Sequence, residues 1–216
     1  MVRQLRKGFN NMSISTTPPR TFREVRVGAM AETMLSLFDC AGVEKNSAVY
    51  ISTPITTGEL LITWHENAPD SRPKEAALDP AELRSKVIEQ NLATVVPLVQ
   101  RVRAHFDPVR VIEPVSMGEV PDWEQGDYHA FWCAVVERYA NTVVLNDGWH
   151  LSNGCATEFA TAVLAEHSIL DHNLVPLLVH QALNLLKEST ERLDAVGLDA
   201  SILREVISAV GQHAEA

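Results

Sequence analysis

Three short β-rich runs, "SAVYIST" (47–53), "VRVIEPV" (109–115) and "TVVLND" (142–147), are separated by long stretches whose apolar residues recur at helical spacing. No other feature constrains the fold as much. A helix between two strands carries the chain back to the end it started from, so the next strand runs parallel to the last. The expected architecture is α/β: a Rossmann-like (flavodoxin-like) doubly wound parallel sheet with a C-terminal helical extension.

Several helices have readable ends. "TFREVRVGAMAETMLSLFDCAGV" (21–43) has apolar residues at helical spacing and stops near Gly42. A long helix is predicted over 79–106, with Asp79 as N-cap, Pro80 as first helical residue and Pro97 as a kink or interruption. Residues 127–140 and 153–167 read as helices, and "SIL" (168–170) as a short strand. Two closing helices are expected over 173–190 and 199–213. The segment 58–79 is punctuated by proline and reads as a loop with one helical piece. Residues 1–20 are polar and broken by Pro18 and Pro19, as a flexible arm would be. The expected organisation is that arm, an α/β domain over 21–172, and a helical extension over 173–216 packed on the core or on a dimer partner.

Composition narrows the function classes. A chain of 216 residues, 46% hydrophobic, can bury a full core. Its net charge of -10 argues against a DNA or RNA partner, which a basic footprint would serve. Cys40, Cys133 and Cys155 form no CxxC pair, so neither a zinc cluster nor a disulfide framework is suggested, and no other metal-ligand spacing stands out. There is no apolar run long enough to cross a bilayer, and the basic start lacks the apolar core of a secretory signal. A cytoplasmic location, no membrane partner, no cofactor and a homodimer are the expectations.

In open parallel sheets, ligands sit beyond the carboxyl ends of the strands. Two strand ends carry unusual residues. "STPITTG" offers the hydroxyls of Ser52, Thr53, Thr56 and Thr57, a rigid Pro54 and a permissive Gly58. Such a loop can hold a phosphate or sugar oxygen, or simply cap the next helix. The second, "NDGWHLSNGCATEF" (146–159), places Ser152 or Asn153 at a helix start, where the backbone favours an anion. Gly154 would let a ligand approach the backbone, and Glu158 lies about one turn inside the helix. Trp149 is either a hydrophobic anchor or a stacking face. After strands of one parallel sheet, the two loops would face one crevice.

"VYISTPITTG" and "VVLNDGWHLSNGCATEFATAV" resemble the two signatures of the nucleoside 2-deoxyribosyltransferase-like superfamily, which includes nucleoside 5'-monophosphate N-glycosidases. The resemblance covers roughly residues 47 to 170. It implies cleavage of an N-glycosidic bond by a retaining mechanism, with Glu158 attacking the anomeric carbon and a second acid assisting the departing base. Ser152 and Gly154, with Asn153 between them, match the phosphate- or sugar-binding turn; Ser52, Thr53 and Gly58 match the first loop. The implied acid is Asp127 or Asp147. The substrate would be a nucleoside or nucleoside monophosphate, and the sugar would pass to water (hydrolase) or to another base (transferase). The chemistry is sound: an oxocarbenium-like transition state needs one anionic carboxylate beneath it and a proton donor at the leaving group.

Other residues fit less directly. The first loop lacks an arginine; Arg72 and Arg84 are the nearest, in a loop and on a solvated helix face respectively. His150 is a ligand contact or a solvated turn residue, and Cys155 would need a partner base to act. Trp123, Tyr128 and Trp132 surround "DYHAFW"; all suit a core, and Tyr128 is also a candidate for the base pocket. A nucleotide-binding module without turnover is the second reading. An enzyme acting on a larger nucleotide is the third.

Overall fold

The computed structural model describes residues 22–67 and 79–214; the expected arm, half of the proline-punctuated segment and Arg72 lie outside them. Strand β1 (Ala48–Ser52) is buried at every position, so it is covered on both faces. It pairs in parallel with β2 (Val111–Ile112) on one side and β3 (Ala140–Leu145) on the other. β4 (Ser168–Leu170) adds to β3, giving a four-stranded all-parallel sheet in the order β2-β1-β3-β4.

The helices connect these strands and cover both faces. Helix α1 (Phe22–Cys40) precedes β1, and α2 (Glu59–Glu66) follows it. A short helix α3 (Pro80–Leu83) leads through a π-helical turn (Arg84–Ile88) into α4 (Glu89–Phe106). α5 (Gln125–Tyr139) precedes β3, and α6 (Asn153–Leu164) lies between β3 and β4. α7 (Val179–Ala195) and α8 (Ser201–Ala214) close the chain.

The side-chain period of two in a strand decides which face each residue joins. Val49 and Ile51 pack with Val95, Leu98 and Val102 of α4. Ala48 and Tyr50 face the larger core, which takes in Val135 of α5, Phe159 of α6, Leu186 of α7 and Leu203 of α8. The closing helices therefore pack on the chain's own core.

Three departures from expectation have local causes. Asp79 does cap, accepting from the Ala81 and Glu82 N–H groups, but α4 continues without interruption through Pro97. The buried Val95, Leu98, Val99 and Val102 flank that proline and hold α4 against the sheet, which outweighs one missing hydrogen bond; the irregularity falls instead at Arg84–Ile88. β2 is only two residues long, because Pro114 opens a 3-10 turn, Pro114–Met117, whose start Glu113 caps. β3 begins at Ala140, directly from α5.

The strand order also fixes where a ligand can lie. The chain leaves β1 to one side to make β2, then returns across β1 to make β3. The carboxyl ends of β1 and β3 thus adjoin where the winding reverses, the crevice position of open α/β sheets. The Asn146 N–H donates to Ser52 O at 2.9 Å, extending the pairing into both loops.

Candidate functional site

Glu158 sits in the second turn of α6 and is only 6% exposed. Tyr50 and Ser52 are two residues apart on β1, so both side chains point to the same face, the one α6 covers. Tyr50 Oη donates to Glu158 Oε1 at 2.8 Å, and Ser52 Oγ donates to Oε2 at 2.5 Å. Both oxygens of one buried carboxyl group are held from a single strand.

Its protonation follows from the balance of burial against those bonds. Burial pushes the Glu158 carboxyl up to about 7, while Ser52 and Tyr50 pull it back down by favouring the anion. Desolvation wins, so near neutral pH the group lies close to its midpoint. The Tyr50 hydroxyl is pushed well above its usual range, first by burial and then by the Glu158 charge, and stays a proton donor. Cys155, 2% exposed, is pushed up to about 12 by burial, which makes it a poor nucleophile at neutral pH.

The rest of the crevice is tied together by amides. Asn146, 5% exposed at the end of β3, donates through Nδ2 to Thr53 Oγ1 at 2.8 Å and to Thr94 Oγ1 at 3.0 Å. Asn91 of α4 donates to Ile55 O at 3.0 Å and Thr57 O at 2.8 Å, fixing the loop that holds Thr56. Gly58 takes φ 97 there, and a Cβ on it would sit 3.1 Å from Pro54 Cβ, so this corner needs a glycine. Neither asparagine was singled out from the sequence; isolated amides give no periodic signal. Tyr50 could have been found, since it shares strand parity with Ser52.

Several expected site residues also have structural partners. Trp149 is 4% exposed and packs on Phe159 with ring centroids 4.9 Å apart, so it is an anchor and not a stacking wall. Gly154 serves helix packing: a Cβ there would lie 3.1 Å from His129 Nε2 on α5. Ser152 is the N-cap of α6, its Oγ accepting from the Cys155 N–H at 3.5 Å, and Asn153 is the first helical residue. Tyr128 Oη accepts from the Val120 N–H at 2.7 Å, and its ring packs edge-on against Trp123, which engages it in holding the loop before α5.

The two acid candidates differ sharply. Asp127 accepts from the Glu124 N–H at 2.8 Å in a capping box and pairs with Arg23 at 2.6 Å. The Glu124 N–H and then Arg23 hold its carboxyl below the usual range. Asp147 is exposed at the end of β3, with Oδ1 accepting from the Gly148 N–H at 3.0 Å.

His150 joins the site to the closing helices. Ser189 Oγ donates its proton to Leu185 O at 2.7 Å, so at its 2.7 Å contact with His150 Nδ1 the ring nitrogen is the donor. Burial lowers the His150 pKa, which keeps the ring neutral with Nε2 as an acceptor. Arg84 pairs with Glu89 at 3.4 Å on an exposed face. Among the described residues no group of three or more His, Cys, Asp and Glu side chains could hold a metal ion, and no helix is long and apolar enough to cross a membrane.

Comparison of the chain with protein-family models, with curated proteins and with solved structures returned no match to any of them.

Proposed function

We propose that the chain cleaves the N-glycosidic bond of a nucleoside or nucleoside 5'-monophosphate, with Glu158 as nucleophile, on a flavodoxin-like variant of the doubly wound sheet. The observation that carries this reading is the buried Glu158 carboxyl, gripped by Tyr50 and Ser52 where the carboxyl ends of β1 and β3 adjoin. A carboxylate used as a nucleophile must be fixed in direction and poorly solvated, and this one is both.

In this reading the Glu158 anion attacks the anomeric carbon as the C–N bond breaks, and the bonding pair leaves with the base. The base takes up a proton, and a sugar ester forms on Glu158. Water then attacks the anomeric carbon, gives up a proton, and releases the free sugar with the carboxylate restored. Asp147 is the better placed of the two acids, because Asp127 is held anionic by a helix cap and an arginine. Thr56, Thr57 and the start of α6 would receive the sugar or phosphate oxygens.

A panel of nucleosides and nucleoside 5'-monophosphates, analysed by chromatography for free base, tests the reading. Base release by the wild type and none by Glu158→Gln is expected; equal release by both would remove Glu158 from the mechanism. One observation favours a second reading, a nucleotide-binding module without turnover: both oxygens of Glu158 are already engaged and Asp127 is committed elsewhere. Tight nucleotide binding with no base released after long incubation would select it.

A further inference from the structure

The two edges of the sheet are finished differently. Beyond β4 the chain folds back on its own strand: the Leu177 N–H donates to Ile169 O and the Asp171 N–H to Val175 O, both at 2.9 Å. The β2 edge instead borders an open cavity of about 580 Å³, walled by Met34, Phe38, Met117 and Trp132, with Leu37, 62% exposed, among its lining. That volume suits a small molecule, and an apolar lining with a few polar groups is how such sites are built.

Charge identifies the class of occupant. Arg103 and Arg110 both line the cavity. Among the described residues, Arg23, Arg26, Arg84, Arg138, Arg192 and Arg204 each pair with a carboxylate and Arg101 donates to His172 O at 2.8 Å, whereas neither Arg103 nor Arg110 has a carboxylate partner. Two unpaired guanidinium groups are unusual in a chain of net charge -10. The one carboxylate in the lining, Glu113, is already used by the Ser116 N–H and hydroxyl at the cap of the 3-10 turn. We propose that this cavity is a binding site, separate from Glu158, for a small amphipathic anion: an apolar body against Phe38 and Trp132, with an acidic head taken by Arg103 and Arg110.

Anilinonaphthalene sulfonate is a suitable first probe, because it joins an aromatic body to one anionic head and its emission reports burial. One dye per chain should bind, with energy transfer from tryptophan. Octanoate should displace it at least about tenfold better than octanol, which has the same tail without the charge. Arg103→Gln/Arg110→Gln should remove that preference, and Leu37→Glu, a change at an exposed position that leaves folding intact, should weaken the dye about fivefold or more by placing a like charge in the lining. Equal displacement by octanoate and octanol, or dye affinity unchanged in both variants, would overturn the proposal. The proposal does not depend on the glycosidase reading, since none of these measurements involves base release.

Discussion

The starts of helices α5 and α6 pose the same motif in two settings. Each carries a carboxylate within its first turns, Asp127 in one and Glu158 in the other. Asp127 is partly exposed, caps its own helix and pairs with Arg23; its carboxyl is held below the ordinary range. Glu158 is buried, with no cation beside it among the described residues, held by two hydroxyls, and its carboxyl is pushed up to about 7. The lesson concerns environment: a solvated carboxylate with a cation stabilises a helix, whereas a desolvated one costs stability and gains directed reactivity.

The sharpest way to break this comparison is substitution at both positions. Glu158→Gln should lower base release by about 10³-fold or more, as removal of a nucleophile does, while Asp127→Asn leaves it unchanged. Loss of base release in Asp127→Asn, with the fold intact by circular dichroism, would make Asp127 the acid after all.

Stability against pH should have opposite slopes at the two sites. Glu158 has a folded pKa above its ordinary 4.5, so its contribution is full below that value and is lost as pH rises through about 7. Chemical denaturation should therefore show Glu158→Gln gaining on wild type by on the order of 3 kcal/mol between acid and mildly alkaline pH. Asp127 has a lowered folded pKa, so its contribution is present above the ordinary 3.8 and lost as pH falls through the folded value. Asp127→Asn should cost on the order of 1 kcal/mol at neutral pH, the usual worth of a helix cap, and less in strong acid.

Smaller effects sharpen the account of Glu158 itself. Ser52→Ala and Tyr50→Phe each remove a donor that favours the anion, so the acid limb of the pH profile of base release should move to higher pH. An unmoved limb would mean that another group sets it. Asn91→Ala frees Ile55 O and Thr57 O and should raise KM for base release while leaving kcat near wild type, because the loop loosens but Glu158 keeps its donors.

Much of this was legible in the sequence. The three long-range strands, the cap at Asp79 and the approach of "STPITTG" to the turn before α6 follow from periodicity, local capping chemistry and parallel topology. What was not legible depends on tertiary neighbours. Nothing local to Gly154 shows that His129 packs against it, and nothing local to Trp149 shows Phe159 beneath it. Asp127 entered as an acid candidate through the resemblance, and its partners, Arg23 and the Glu124 N–H, could not be read from local sequence. The arginines at the β2 edge stand out only once the partners of the other described guanidinium groups are known, carboxylates for six of them and the His172 carbonyl for Arg101.

Covalent trapping tests the central claim most directly. A substrate nucleoside whose sugar carries fluorine at the 2-position should form the Glu158 ester and hydrolyse it slowly, because fluorine destabilises the oxocarbenium-like transition state of release. Acid quench, proteolysis and mass spectrometry should then find the fluorosugar on the peptide containing Glu158, and none in Glu158→Gln. Steady base release with no adduct, or an adduct on any other residue, would contradict the account.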